Sequence, residues 1–136
     1  MGKLFLEIVT PERVLVSQEV DIVVAPGSDG EFGVLPGHVL FLSGIVPGEL
    51  RYTAGTEKGA MVVTTGFAEV SNDKVSVLVE AAEKAGDIDL DRARKALERA
   101  KERLEKERGA QDIDFLRAEN ALKRAIARLK VAEKYM

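Results

Sequence analysis

Asp87-Ile88-Asp89-Leu90-Asp91-Arg92-Ala93 returns 25 residues later as Asp112-Ile113-Asp114-Phe115-Leu116-Arg117-Ala118, and the match runs on through Leu97/Leu122, Ala100/Ala125 and Leu104/Leu129. In both copies the apolar positions step by three and four: Leu90, Ala93, Leu97, Ala100, Leu104, and then Phe115, Ala118, Leu122, Ala125, Leu129, Ala132. That period predicts two amphipathic helices, over about 88–107 and 113–134. Asp87 and Asp112 offer N-caps, and the acids that follow complement the helix dipole. Gly86 would end a short helical turn over 80–85, and the break around Gly109 separates the two long helices. So short a connection makes them pack antiparallel. Folding the chain about residue 111 sets Leu104 against Ala118, Ala100 against Leu122, Leu97 against Ala125 and Ala93 against Leu129. Each layer then pairs a large side chain with a small one. The backbones approach closely but bury little, at about 0.8 kcal/mol per methylene, so a few kcal/mol should open the hairpin.

The repeat also copies three arginines: Arg92/Arg117, Arg99/Arg124 and Arg103/Arg128. Solvated positions have no packing reason to repeat. One edge of the hairpin is balanced, with Arg94 and Lys101 against Glu119 and Glu133, and Lys101 within reach of Glu119. The other edge carries all six repeated arginines, and Asp89 is its only acid. Arg92 falls near the level of Arg128, and Arg99 near Arg124, so four guanidinium groups converge beside Asp89 and the Glu83 segment. Like charges within the Debye length of about 8 Å repel and weaken the closed hairpin unless an anion neutralises them. Guanidinium is a planar fork suited to carboxylate or phosphate. Composition and spacing therefore favour a specific anion, either a polyphosphate or an acidic protein surface, over an idle solvated face.

The first 80 residues have another grammar. Turn signals at Pro26-Gly27-Ser28-Asp29-Gly30, Pro36-Gly37, Pro47-Gly48, Ala54-Gly55-Thr56 and Ser71-Asn72-Asp73 separate short β-branched or apolar runs. Those runs are 4–10, 20–25, 39–45, 61–65, 68–70 and 75–79. Seven to ten short strands in an antiparallel sandwich or small barrel are expected. The fold class is thus α+β: an N-terminal antiparallel β-sandwich over 1–84, followed by a C-terminal antiparallel helical hairpin over 85–136.

Net charge is −3, which argues against a generic binder of nucleic acid or anionic membrane. Absence of Cys removes disulfides, thiolate metal sites and cysteine nucleophiles. No apolar run approaches the roughly 18 residues of a membrane span, and Leu6 stands where a myristoylation signal wants Ser or Thr. Gly27-x-x-Gly30-x-x-Gly33 lacks the Gly-Lys-Ser/Thr of a phosphate loop and reads as a hairpin turn. His38 is the only histidine, a loop or interface residue without partners for a metal site or, with Ser43, a triad. No nucleophile, base and orienting group can be assembled, so no catalytic site is expected. The alternative is an adaptor docking its arginine edge on nucleic acid or another anion. With five Phe and two Tyr in the whole chain, no stacking platform for nucleic acid is in view.

Val9-Thr10-Pro11, Gly30-Glu31-Phe32-Gly33-Val34-Leu35-Pro36-Gly37-His38, Gly66-Phe67-Ala68-Glu69-Val70, Asp73-Lys74-Val75 and Ala81-Ala82-Glu83 occur in this order. Together they resemble the epsilon subunit of bacterial rotary F-type ATP synthase over nearly the whole chain. Phe32 replaces the more usual Leu, Val39-Leu40 lacks a proline often found after the His, and Thr65 stands where a second Gly is common. The resemblance implies a central-stalk rotor subunit without a catalytic site, peripheral on the cytoplasmic face of the bacterial plasma membrane. Its sandwich would bind the gamma subunit and rest on the c-subunit ring, with Glu31, Phe32 and His38 facing the ring. The hairpin would be mobile: extended into the alpha/beta hexamer it blocks ATP hydrolysis, and folded it permits rotation. In such proteins the folded form binds ATP as a regulatory ligand through Ile/Leu-Asp-x-x-Arg-Ala and arginines of both helices. The matching positions here are Glu83, Ile88, Asp89, Arg92, Ala93, Arg99, Arg124 and Arg128, with no metal held by the protein.

Overall fold

Leu4, Leu6 and Ile8 alternate with Phe5, Glu7 and Val9, and that period of two makes Leu4–Val9 a strand (β1) buried on one face. The structure is a computed structural model that describes residues 2–106 and 112–135, the side chains of 112 and 113 excepted. Thr10 closes a turn by donating its N–H to the Arg13 carbonyl at 2.9 Å. The chain then returns antiparallel as β2 (Val14–Val20), with Val20 facing Leu4. Next come β3 (Ile22–Gly27), β4 (Gly30–Val34), β5 (Phe41–Ile45) and β6 (Gly48–Ala54). After them come β7 (Glu57–Val63), β8 (Gly66–Ser71), β9 (Lys74–Val79) and β10 (Ala82–Lys84). The strands hydrogen-bond in the order β10-β7-β6-β3-β5-β8-β9-β1-β2, with β4 on the free edge of β3.

β3 is the corner of the sandwich. Ile22–Val24 pair with β6, whereas on the same edge Gly27 pairs with Ile45 of β5. Pro26 sits at the changeover, where its missing N–H costs no ladder bond and its carbonyl accepts from Val46 at 3.0 Å. Gly27 faces Gly30 across Ser28-Asp29, and Gly30 has φ of 118°, so the glycine spacing belongs to a hairpin turn. One pairing departs from the antiparallel expectation: β1 runs parallel to β9, Leu6 beside Val75 and Ile8 beside Val77. The inward residues of both layers, among them Leu6, Ile8, Val23, Leu50, Met61 and Val77, form one apolar core. Asp21, at the β2–β3 junction, accepts from Lys3 and, at 2.7 Å, from the Gly55 amide of the β6–β7 turn. The Lys3 hydrogen bond, then the Gly55 amide, hold the Asp21 carboxyl below the ordinary carboxylate range.

The chain divides into two compact units, Met1–Lys84 and Ala85–Met136. Residues 82–84 are not helical as the sequence suggested. They pair antiparallel with β7, Glu83 opposite Val62, and a 3-10 turn over Ala85–Asp87 follows. The exposed edge of β7 offers ladder partners that outweigh local helix propensity in so short a segment. The long helices are α1 (Leu90–Lys106) and α2 (Asp112–Lys134), packed on each other. The cap of α1 is Asp89 rather than Asp87: its Oδ1 accepts from the Arg92 amide at 3.1 Å, and its carbonyl takes the first helical bond from Ala93 at 2.9 Å. The break at Gly109 and the cap assigned to the Asp112 side chain lie outside the described residues. Ala93, Ala100, Ala118 and Ala132 are buried, while Leu97, Leu104, Leu122 and Leu129 are half-buried. Ala127 and Val131 are buried as well, off the expected stripe, so α2 has the broader apolar face.

Candidate functional site

Arg92, Lys95 and Arg99 stand at i, i+3 and i+7 on α1 and so share one helix face. With Arg128 of α2 they line a cleft of about 310 Å³. Antiparallel packing accounts for the meeting, since it brings the start of the first repeat to the end of the second. Three nearby acids have other partners: Asp89 caps α1, Asp91 lies 4.0 Å from Arg94, and Glu119 lies 3.8 Å from Lys123 of its own helix rather than meeting Lys101. Among the described residues no carboxylate pairs with Arg92, Lys95 or Arg99. Like charges gathered on one face raise the local positive potential, although solvent and salt screen exposed groups. Such a cleft favours an anion carrying several charges.

Of the residues expected at an anion site, Arg92, Arg99 and Arg128 come together. Arg124, one turn before Arg128, is exposed and is not among the residues lining the cleft. Ile88 is half-buried just before the cap, and Ala93 is only 1 % exposed. Glu83 belongs to the first unit, on β10. Lys95 lines the cleft too, but the repeat does not mark it, since its counterpart 25 residues on is Asn120. Its spacing from Arg92 and Arg99 was the signal available.

On the sandwich, Glu31 of β4 is gripped by both Arg51 nitrogens, Nη1–Oε2 at 3.0 Å and Nη2–Oε1 at 3.1 Å, with Glu49 Oε1 3.3 Å from Nη1. Phe32 is half-buried, its ring edge-on to Phe41 at 5.1 Å, and Phe41 meets His38 at 5.6 Å. His38 Nδ1 lies 2.8 Å from the Val39 carbonyl and acts as donor to it. These anchored residues carry a segment whose exposed side chains are apolar: Leu35, Val39, Leu40 and Leu42, the last three each more than two-thirds exposed. A separate apolar groove of about 400 Å³ runs beside Val9, Phe67 and Leu78.

One hydrogen bond fixes the loop's other side. The Gly37 amide donates to Asp73 Oδ1 at 2.7 Å, and Asn72 and Asp73 have φ of 51° and 59° in the β8–β9 turn. This ties two of the sequence motifs together. Asp73→Gly keeps the positive φ without strain but deletes the acceptor, and Asp73→Asn keeps both. The glycine variant should exchange its Gly37 amide about five- to tenfold faster, the worth of one net hydrogen bond, while the asparagine variant stays near wild type. Hydrogen-exchange mass spectrometry of the 35–41 segment measures this. Equal exchange in both variants would mean the carboxylate does not hold the loop.

Among the described residues no cluster of His, Cys, Asp and Glu is arranged to hold a metal ion, and no helix is long and apolar enough to cross a membrane. Residues 3–85 match the family model described as ATP synthase, Delta/Epsilon chain, beta-sandwich domain, and residues 87–133 match its long alpha-helix domain. The chain is 52 % identical over 101 residues to the ATP synthase epsilon chain of Nitratidesulfovibrio vulgaris strain DP4, covering 74 % of this chain and 75 % of that one. To the epsilon chain of Syntrophobacter fumaroxidans it is 54 % identical over 102 residues, 75 % of this chain and 76 % of the other. Among solved structures it resembles a chain of the Euglena gracilis mitochondrial ATP synthase, described as OSCP/F1/c-ring in rotational state 1. That match has a TM-score of 0.82 and 25 % identity, over 98 % of this chain and 82 % of that one.

Proposed function

The chain belongs to the ATP synthase delta/epsilon family, as a non-catalytic subunit of the central stalk, and from that premise we propose that its hairpin is an ATP-responsive brake on hydrolysis. The sandwich binds the gamma subunit and rests on the c-subunit ring at the cytoplasmic face of the membrane. The loop from Glu31 to His38 meets the ring, and the exposed Val39 and Leu40 that follow it widen that contact. The groove beside Phe67 and Leu78 suits an apolar surface of gamma. Folded, the hairpin takes ATP with Arg92, Arg99 and Arg128 on the phosphates, Arg124 at the rim, and Ile88, Asp89 and Ala93 on the adenosine side. Glu83 is carried by the family resemblance alone. Extended, the hairpin enters the alpha/beta hexamer and stops hydrolysis.

The observation that supports this reading is the cation-lined cleft between two helices joined by an alanine-rich seam. A ligand that binds only the closed form stabilises it by about 2.7 kcal/mol at a hundred times its dissociation constant. That matches the weakness expected of such a seam, so ATP concentration can set the switch. Titration calorimetry of the chain should show saturable ATP binding. Adding the chain to epsilon-depleted F1 should inhibit hydrolysis at low ATP and release it at high ATP. Absence of saturable binding, or inhibition indifferent to ATP, would overturn the proposal.

A further inference from the structure

Resting on that reading, we infer that Lys95 is the fourth cation of the nucleotide site and lets it distinguish three phosphates from fewer. Lys95 lines the same cleft as Arg92, Arg99 and Arg128 and lies between the two α1 arginines on their shared face. Among the described residues no carboxylate pairs with it, and Asp91, one turn before it, lies against Arg94 instead. Its position is outside the Ile-Asp-x-x-Arg-Ala pattern, in which only Arg92 supplies positive charge.

The chemistry gives Lys95 a part distinct from its neighbours. Guanidinium groups grip two oxygens in a fixed plane, so three of them confine a phosphate chain to the cleft. An ammonium on a four-carbon stem is a mobile point charge with three rotatable donors, able to follow the terminal phosphate. Each added phosphate brings further negative charge into a site whose repulsion it relieves. A fourth cation therefore contributes most to the triphosphate and least to the monophosphate.

The test is calorimetric titration of the full chain and its Lys95→Gln and Lys95→Arg variants with ATP, ADP and AMP, repeated at two salt concentrations. Lys95 is exposed on α1, and glutamine retains both helix propensity and most of the stem. Expected for Lys95→Gln is about a tenfold loss of ATP affinity, a smaller loss for ADP, little change for AMP, and a shallower salt dependence. Lys95→Arg should keep most of the triphosphate preference. If the unaltered chain binds ATP and Lys95→Gln binds it within twofold, or loses all three nucleotides equally, this inference fails while the proposed function stands. If the unaltered chain binds no nucleotide, both fail.

Discussion

Gly66→Ala should lower the melting temperature of the sandwich by some 15 °C or more, the largest effect of any single methyl group expected in this unit. A Cβ at Gly66 would run into the Leu78 carbonyl oxygen and lie 2.7 Å from Val79 Cα and 2.9 Å from Leu78 C. All three atoms are β9 backbone. Gly66 pairs with Val79 of β9 on one side and Ile45 of β5 on the other, so β8 cannot move away without opening a ladder. Overpacking in a core costs about 1–3 kcal/mol where side chains can yield, and more where they cannot. At about 4–8 °C per kcal/mol for a unit of this size, a cost at or above 3 kcal/mol gives the expected drop. Gly59→Ala is the control, because the atoms nearest its Cβ belong to the Tyr52 side chain, which is able to turn. Circular dichroism melts of the two variants decide the matter. Similar midpoints would show that β9 gives way as easily as a tyrosine ring.

The clearest strands in the sequence are those whose residues are buried in an unbroken period, such as Leu4, Leu6 and Ile8 or Val75, Val77 and Val79. β2, β4 and β6 are not among them. In β6 a single side chain, Leu50, is buried, and β4 begins with Gly30, the last residue of a turn signal. Their strand character comes from ladder partners rather than from their own pattern. The parallel β1–β9 pair joins Leu6 to Val75, and nothing local encodes such a contact. The helices were legible throughout, since alanines and leucines at three- and four-residue steps have no other use. The cap was not: Asp87, Asp89 and Asp91 are equivalent as acceptors, and the 3-10 turn over Ala85–Asp87 leaves Asp89 at the start. Phe32 belongs to a recognisable motif, but the motif does not encode that its half-buried ring packs edge-on against Phe41. Of the six arginines that the repeat marks, Arg92, Arg99 and Arg128 line the cleft. The repeat could not rank Arg124 against Arg128, because one helical turn decides which of them lines the cleft and both copies carry the same residue.

That distinction sets the second large effect. Arg92→Ala combined with Arg99→Ala should lower ATP affinity by at least about a hundredfold, because each charged hydrogen bond to phosphate is worth about 1.5–3 kcal/mol and two are lost. The pair suggested by sequence spacing, Arg99→Ala with Arg124→Ala, should lose less, since Arg124 is not among the residues that line the cleft. Coupling between neighbouring cations makes the losses less than additive, which is why the lower bound is the useful figure. The sign of the stability change separates this from damage to the fold. Arg92 and Arg99 face like charges and no paired carboxylate, so removing them relieves repulsion. Alanine is also at least as good a helix former. Without ATP the variant's helices should therefore melt no earlier than wild type. With ATP, wild type should gain stability and the variant should not. Its hairpin then loses the only influence that ATP has on it, and hydrolysis should stay inhibited at ATP concentrations that release the wild-type brake. ATP affinity within tenfold of wild type, with the melts unchanged, would show that the nucleotide binds elsewhere.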